Sequence, residues 1–313
     1  MPIPFHRTIK QAKTRGFKKT ASKILALTLE KAIEHLRYMP EISVLNVNNS
    51  RMMLHPRKGA IHADLFVHKK REPICTDYLI KSGIVKKGDT VLDIGANIGY
   101  YVLVESNLVG KNGHIYAVEP VSSNFELLKK NVHLNRLSNV STFQYAFGDR
   151  ITDGEIFVSD KANLCAMSKE AVGGEVLAVQ HVNVMTVDEF VKDKKTPTLV
   201  RMDVEGYEYE IIKGMAETLK SGVKILVELH PLPSYIRPEK LQELYGILEK
   251  NNYRVRFAVF EHKVNENFLV KMLWKGAGDK LPIVAKDLTI QELKDLIEHN
   301  LNVASPNVLF EKY

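Results

Sequence analysis

The chain has 313 residues, 45% of them hydrophobic and 26% charged, with a formal net charge of +7. That is globular composition, enough for one α/β domain with appendages or for two domains. The moderate positive charge permits an anionic partner without requiring one, and no run approaches 18 uncharged apolar residues, so no transmembrane segment is expected.

Two cysteines, Cys75 and Cys165, stand far apart with no His or Cys cluster beside them. No zinc site is readable, and two free thiols in a reducing, cytoplasmic setting are expected. The N-terminus lacks an apolar run ending in a small-residue cleavage site, so no signal peptide is expected.

Residues 1–38 read as a unit apart. A basic arm carrying Arg7, Lys10, Lys13, Arg15, Lys18 and Lys19 runs into an amphipathic helix with Ile24, Leu25, Leu29, Ile33 and Leu36 at helical spacing. The plain expectation is a helix packed on the domain with its lysines in solvent. RNA binding and peripheral membrane contact are the alternatives. Residues 39–88 read as a cap region with short strands and a helix. "ISVLNVNN" and "ADLFVHK" have the look of edge strands, and "CTDYLIKSGIV" (75–85) that of a helix opened by Thr76 or Asp77.

From residue 89 to 313 the pattern alternates. "TVLDIG" (90–95), "HIYAVEP" (114–120), "STFQYAFGD" (141–149), "TLVRMDVEG" (198–206) and "VKILVELHP" (223–231) read as strands separated by helices. "GEIFVSD" and "HVNVMTVDEFV" add short strands, and "YRVRFAVF" and "FLVKMLW" an antiparallel pair. A helix at 289–299 and "NVLFEKY" close the chain, and Trp274 reads as core. The expected fold is α/β: a doubly wound, mainly parallel sheet with an N-terminal helical extension. Ligands bind such sheets beyond the carboxyl ends of the strands, at the switch point.

"VLDIGANIGYYVLVES" (91–106) would lie there. Its spacing is Asp93-x-Gly95-x-x-x-Gly99, which is neither the G-x-G-x-x-G dinucleotide turn nor a P-loop. Gly95 and Gly99 leave room for a ligand to cross the strand end. Asp93 can accept from an ammonium or an ordered water. Glu119 ends the next strand, where a carboxylate can take both hydroxyls of a ribose. Ala146 and Asp149, on the third, could read an adenine through backbone and carboxylate. Three successive strand ends thus describe a pocket for S-adenosylmethionine.

The stretch 91–140 resembles the cofactor half of a class I methyltransferase of the FkbM type. "LVRMDVEGYEYEIIKGM" resembles that family's Asp-Val-Glu-Gly hallmark and "ILVELHP" its fifth strand end; the resemblance spans roughly residues 75–260. It implies a Rossmann-like fold, cofactor binding by Asp93, Gly95, Asn97, Gly99 and Glu119, and O-methylation of sugar or natural-product hydroxyls.

Methyl transfer to a hydroxyl needs a base. Period-2 alternation puts Arg201, Asp203 and Glu205 on one face of their strand, and Glu228 with His230 on one face of the next. The expectation is that these acids and His230 form the acceptor rim, with Asp203 or His230 as base. A divalent ion held by the same groups is the less favoured alternative. Helix capping and an ion pair to Arg201 would be their purely structural role. The function expected is O-methylation of a sugar, glycan, lipid or other small-molecule acceptor. An RNA methyltransferase using the basic arm comes second, and a non-catalytic cofactor-binding scaffold third.

Overall fold

The computed structural model describes residues 40–58, 60–160, 165–172, 175–260, 283–300 and 305–313. The arm and helix expected over 1–38, the strand expected over 268–274 and Trp274 lie outside them. The first described element is a hairpin of β1 (Ser43–Val47) and β2 (Ser50–Leu54), paired antiparallel from Val47↔Ser50 outward. Its two-residue turn places Asn48 and Asn49 at φ 46° and 65°, the left-handed values such a turn requires and Asn tolerates. The segment expected as a second edge strand is instead helical, α1 (Ala60–His68). Ile61 and Leu65, one helical turn apart, are both buried, so tertiary packing selects the 3.6-residue period over the alternation. Next comes α2 (Pro73–Lys81), with proline at its first position and Cys75, Thr76 and Leu79 buried.

The alternating half follows as β3 (Thr90–Ile94), α3 (Tyr100–Val109), β4 (His114–Val118), α4 (Ser122–Leu134) and β5 (Val140–Phe143). The third expected strand breaks after Phe143: β6 (Ala146–Phe147) leaves the main sheet and pairs with β8 (Val176–Met185), which also pairs antiparallel with β7 (Thr152–Ser159). Part of the expected short strand at 181–191 is helix α5 (Val187–Val191), capped by the Thr186 hydroxyl accepting from Glu189 N. Then come β9 (Leu199–Met202), α6 (Glu208–Lys213), α7 (Ala216–Lys220), β10 (Lys224–Glu228), α8 (Pro238–Lys250), β11 (Tyr253–Phe260), β12 (Ile283–Leu288), α9 (Ile290–Asn300) and β13 (Asn307–Lys312).

The main sheet has eight strands in the order β12-β11-β13-β10-β9-β3-β4-β5. From β10 to β5 all neighbours run parallel, while β13 runs antiparallel between β10 and β11. This is the expected doubly wound, mainly parallel, Rossmann-like sheet. Because alternate residues of each strand face opposite ways, two cores form. Leu92, Ile94, Val200, Met202, Ile225 and Val227 pack with α6, α7, α8 and α9. Val91, Leu199 and Leu226 pack on the other face with α3. Met52, Leu54, Ile61, Leu65 and Leu79 join that second core, so residues 40–88 are built into the sheet's cover. The chain passes from β3 to β4 on one side and returns to β9 on the other, which puts the switch point at the carboxyl ends of β3 and β9.

Candidate active site

A cleft of about 880 Å³, counted with the solvent at its mouth, opens at those strand ends. Its floor is the turn after β3. Gly95 N and Ala96 N both donate to Val118 O, at 3.0 Å each, which locks the turn to the tip of β4. Gly95 has φ 77°, and a Cβ there would lie 2.1 Å from Asp203 O. The close approach of β9 therefore demands this glycine as much as any ligand does. Gly99, at φ 92°, does not line the cleft; its missing side chain makes room for Leu128, 2.8 Å from where a Cβ would stand.

Glu119 stands at the tip of β4 and faces the cleft while being 4% exposed. Its Oε2 accepts from Asn97 N at 2.8 Å and its Oε1 from Val121 N at 2.9 Å. Burial pushes its carboxyl up to about 7; the two backbone donors and the Asn124 side chain pull the other way. Three donors meet the four acceptor positions of the two oxygens, so the carboxylate is tightly oriented and keeps one acceptor position. Asn97, held at φ 50°, contributes its backbone here while its own Oδ1 accepts from Ile98 N.

The other expected cofactor residues separate. Ala146 lines the cleft with Phe147. Asp149 does not: beyond Gly148 the chain turns out, and the carboxylate pairs with Lys213 Nζ at 3.1 Å. Asp93 is also displaced from its expected role. It is fully buried, and its Oδ1 lies 2.9 Å from Arg201 Nη1, so a guanidinium of the chain occupies the place an ammonium was expected to take. Arg201 in turn stacks 3.7 Å from the Tyr101 ring centroid. Burial alone would lower the Arg201 guanidinium, but Asp93, Tyr101, Asp203 and Glu105 together hold it well above its ordinary value.

Asp203 continues the β9 ladder, its N–H donating to Ile94 O at 3.1 Å. Its side chain enters the cleft between two arginines: Arg201 Nη2 at 3.7 Å and Arg71 Nη2 at 3.8 Å from Oδ2. The expected face shared by Arg201, Asp203 and Glu205 ends at Asp203. Glu205 and Gly206 adopt φ 50° and 96°, which breaks the two-residue period. Glu205 still lines the cleft, but its Oε2 turns to His230 Nε2 at 3.2 Å.

His230 is 2% exposed and lies behind the cleft wall. Its Nδ1 is 2.6 Å from Glu208 Oε1, and its Nε2 is 4.0 Å from Glu228 Oε1. Burial opposes its charge, yet Glu208 and Glu205 outweigh burial and hold the imidazole well above its ordinary value. With carboxylates near both ring nitrogens and no surface on the cleft, His230 is placed as a partner of buried acids rather than where a substrate hydroxyl would reach it. Glu228 is buried and likewise off the cleft surface. Asp203, Glu228 and His230 can bring one ligand atom each within 4.8 Å of one another. Two guanidiniums already face Asp203, so a divalent ion there would meet strong like-charge repulsion.

Arg71 was not singled out by sequence. Its turn precedes α2 and is pinned by Tyr100: Arg71 N donates to Tyr100 Oη at 3.0 Å, and Thr76 Oγ1 donates to Arg71 O at 2.7 Å. Glu72, at φ 44°, accepts from Arg71 Nε at 2.7 Å and from Tyr101 Oη at 2.7 Å. The one signal in the sequence was the Arg-Glu-Pro opening of the helix, which carries no functional meaning without its partners. From β7 and the segment after it, Ile156, Cys165 and Met167 supply an apolar wall that sequence also missed.

A family profile described as "Methyltransferase FkbM domain" matches residues 93–255. The hexuronic acid methyltransferase AglP of Haloferax volcanii is 26% identical over 46% of this chain and 57% of its own length. A protein-L-isoaspartate O-methyltransferase of Methanothrix thermoacetophila is 32% identical over 25% of this chain and 34% of its own length. The chain thus spans less than two thirds of these curated relatives. Among solved structures, a methyltransferase FkbM from Methylobacillus flagellatus superposes with a TM-score of 0.41 and 16% identity, covering 58% of this chain and 43% of that one.

Proposed function

The chain belongs to the methyltransferase FkbM family, and from that premise we propose that it moves the methyl group of S-adenosylmethionine to a hydroxyl of a sugar or glycan. The observation that carries the cofactor reading is Glu119, a cleft-facing carboxylate oriented by Asn97 N, Val121 N and the Asn124 side chain with an acceptor position left for a ribose hydroxyl. The relative AglP is a hexuronic acid methyltransferase, which supports a sugar as the acceptor class.

When bound, the cofactor supplies a methyl group on a positively charged sulfur, already activated for displacement. The remaining work falls to the chain. Glu119 would accept a hydrogen bond from a ribose hydroxyl, and the Gly95–Asn97 turn would hold the ligand at the strand end. Ala146 and Phe147, which line the cleft, would hold the adenine base. Asp203 is the base in this reading. Its ion pairs are long, 3.7 and 3.8 Å, so its oxygens are open to a hydroxyl proton from the acceptor. Ile156, Cys165 and Met167 keep bulk water from the reacting atoms. Glu205, Glu228 and His230 hold the tips of β9 and β10 in register and are positioning groups rather than proton carriers.

The test is methyl transfer from tritium-labelled S-adenosylmethionine to a panel of neutral sugars, uronic acids, glycans, lipids, RNA and protein. Label in a sugar hydroxyl is expected. Label confined to RNA or protein, or a stoichiometric cofactor complex with no transfer, overturns the reading.

A further inference from the structure

Arg71 reaches the cleft from outside the region that alternates strand and helix, and its placement is elaborately enforced. Tyr100, Thr76 and Glu72 fix its backbone and its Nε, at distances of 3.0, 2.7 and 2.7 Å. What those bonds leave over is the Nη end of the guanidinium. There the ion pair is with Asp203 at 3.8 Å, beyond hydrogen-bond range, and Glu228 acts on the guanidinium from farther off. A largely buried cation lining a cleft fits a carboxylate, which guanidinium binds in a two-pronged, charge-assisted way.

Contacts across the strand tips say which carboxylate. Glu119 on β4 touches Asn97 N, Gly95 packs on Asp203 O at the tip of β9, and Asp203 faces Arg71. Since β4, β3 and β9 are neighbours, Glu119 and Asp203 are separated by two strand spacings, roughly 10 Å. That is the scale of a nucleoside joined to an amino acid: hydroxyls at the β4 end, carboxylate at the β9 end. We propose that Arg71 binds the α-carboxylate of the cofactor's amino acid, so that the N-terminal segment completes the cofactor site. This inference rests on the cofactor reading above. An acidic acceptor is the other source of a carboxylate, and the test separates the two.

Titration calorimetry on the full chain would use two probes, S-adenosylhomocysteine and 5′-methylthioadenosine. The second keeps nucleoside and sulfur but lacks the amino acid. Arg71→Ala is expected to weaken S-adenosylhomocysteine by about 10- to 100-fold, as for a lost charge-assisted pair, and to leave methylthioadenosine within about threefold. Arg71→Lys, which keeps charge without the fork, should fall between. The ratio of the two affinities is the readout, because a general loosening of the fold would weaken both probes together. An unchanged ratio in Arg71→Ala overturns the inference alone, and a raised acceptor KM with that unchanged ratio assigns Arg71 to an acidic acceptor instead. If the parent chain binds neither probe, the cofactor reading fails and the inference falls with it.

Discussion

Nδ1 of His230 lies 2.6 Å from Oε1 of Glu208, and both side chains are 1% exposed. With Glu205 at 3.2 Å from the other ring nitrogen, the imidazole is shared between two buried acids, which favour its protonated form. Removing one partner of a buried ion cluster strands the others. His230→Ala is therefore expected to destabilise the fold by about 3–5 kcal/mol, read from urea unfolding, and His230→Gln by less because it still offers a donor. Unchanged stability with lost methyl transfer would return His230 to the role of base.

Glu119 makes cofactor binding depend on pH. Its folded-state carboxyl titrates at about 7 rather than at 4.5, because burial disfavours its charge. A ribose hydroxyl donates to the ionised form, so binding favours loss of the proton. Affinity for S-adenosylhomocysteine is expected to rise from about pH 6 to about pH 8, with a proton released on binding below the pKa. Calorimetry in buffers of different ionisation enthalpy reads that proton. Glu119→Gln should flatten the profile and weaken binding by about 1–3 kcal/mol. A profile that rises toward acid would contradict the assignment.

Asp203→Asn keeps the shape of the side chain and removes its basicity. Methyl transfer to the acceptor is expected to drop by about 10²–10⁴-fold while cofactor affinity stays within a few-fold. Single-turnover assays beside calorimetry separate the two effects. Parent-like transfer in this variant would move the base elsewhere in the cleft.

Two glycines should respond to alanine with opposite signs. Gly95→Ala would put a Cβ 2.1 Å from the Asp203 carbonyl oxygen at φ 77°, and a backbone atom cannot swing aside. A loss of at least about 2 kcal/mol is expected, since strain and steric overlap add. Gly246 lies inside α8 with nothing within 4 Å of its Cβ position. Alanine there should stabilise by about 0.5–1 kcal/mol, the helix-propensity difference. Thermal melts of both variants check the pair.

The alternation of β3, α3, β4 and α4 was legible because strand and helix periods in an amphipathic cover are properties of neighbouring residues. The Asp93–Gly99 turn and Glu119 were legible for the same reason, since each sits at a strand end defined by its own run. Local pattern misled where a distant partner chose the conformation. "ADLFVHK" forms a helix because Ile61 and Leu65 meet the second core, and the strand expected at 141–149 breaks because Ala146 and Phe147 find β8 instead.

Sequence by itself determined the doubly wound sheet, its switch point and the family, since these follow from periodicity and a contiguous motif. Only the tertiary structure decided what the charged groups are for. Asp93 and Arg201 are 108 residues apart, Arg71 and Asp203 farther, and His230 is separated from Glu208 by 22. A carboxylate in a motif is a ligand, a base or a counter-ion according to which charge packs against it. That is settled by distances of a few ångströms in a desolvated interior, where Coulomb interactions are strong, and such distances are not written in the order of the residues.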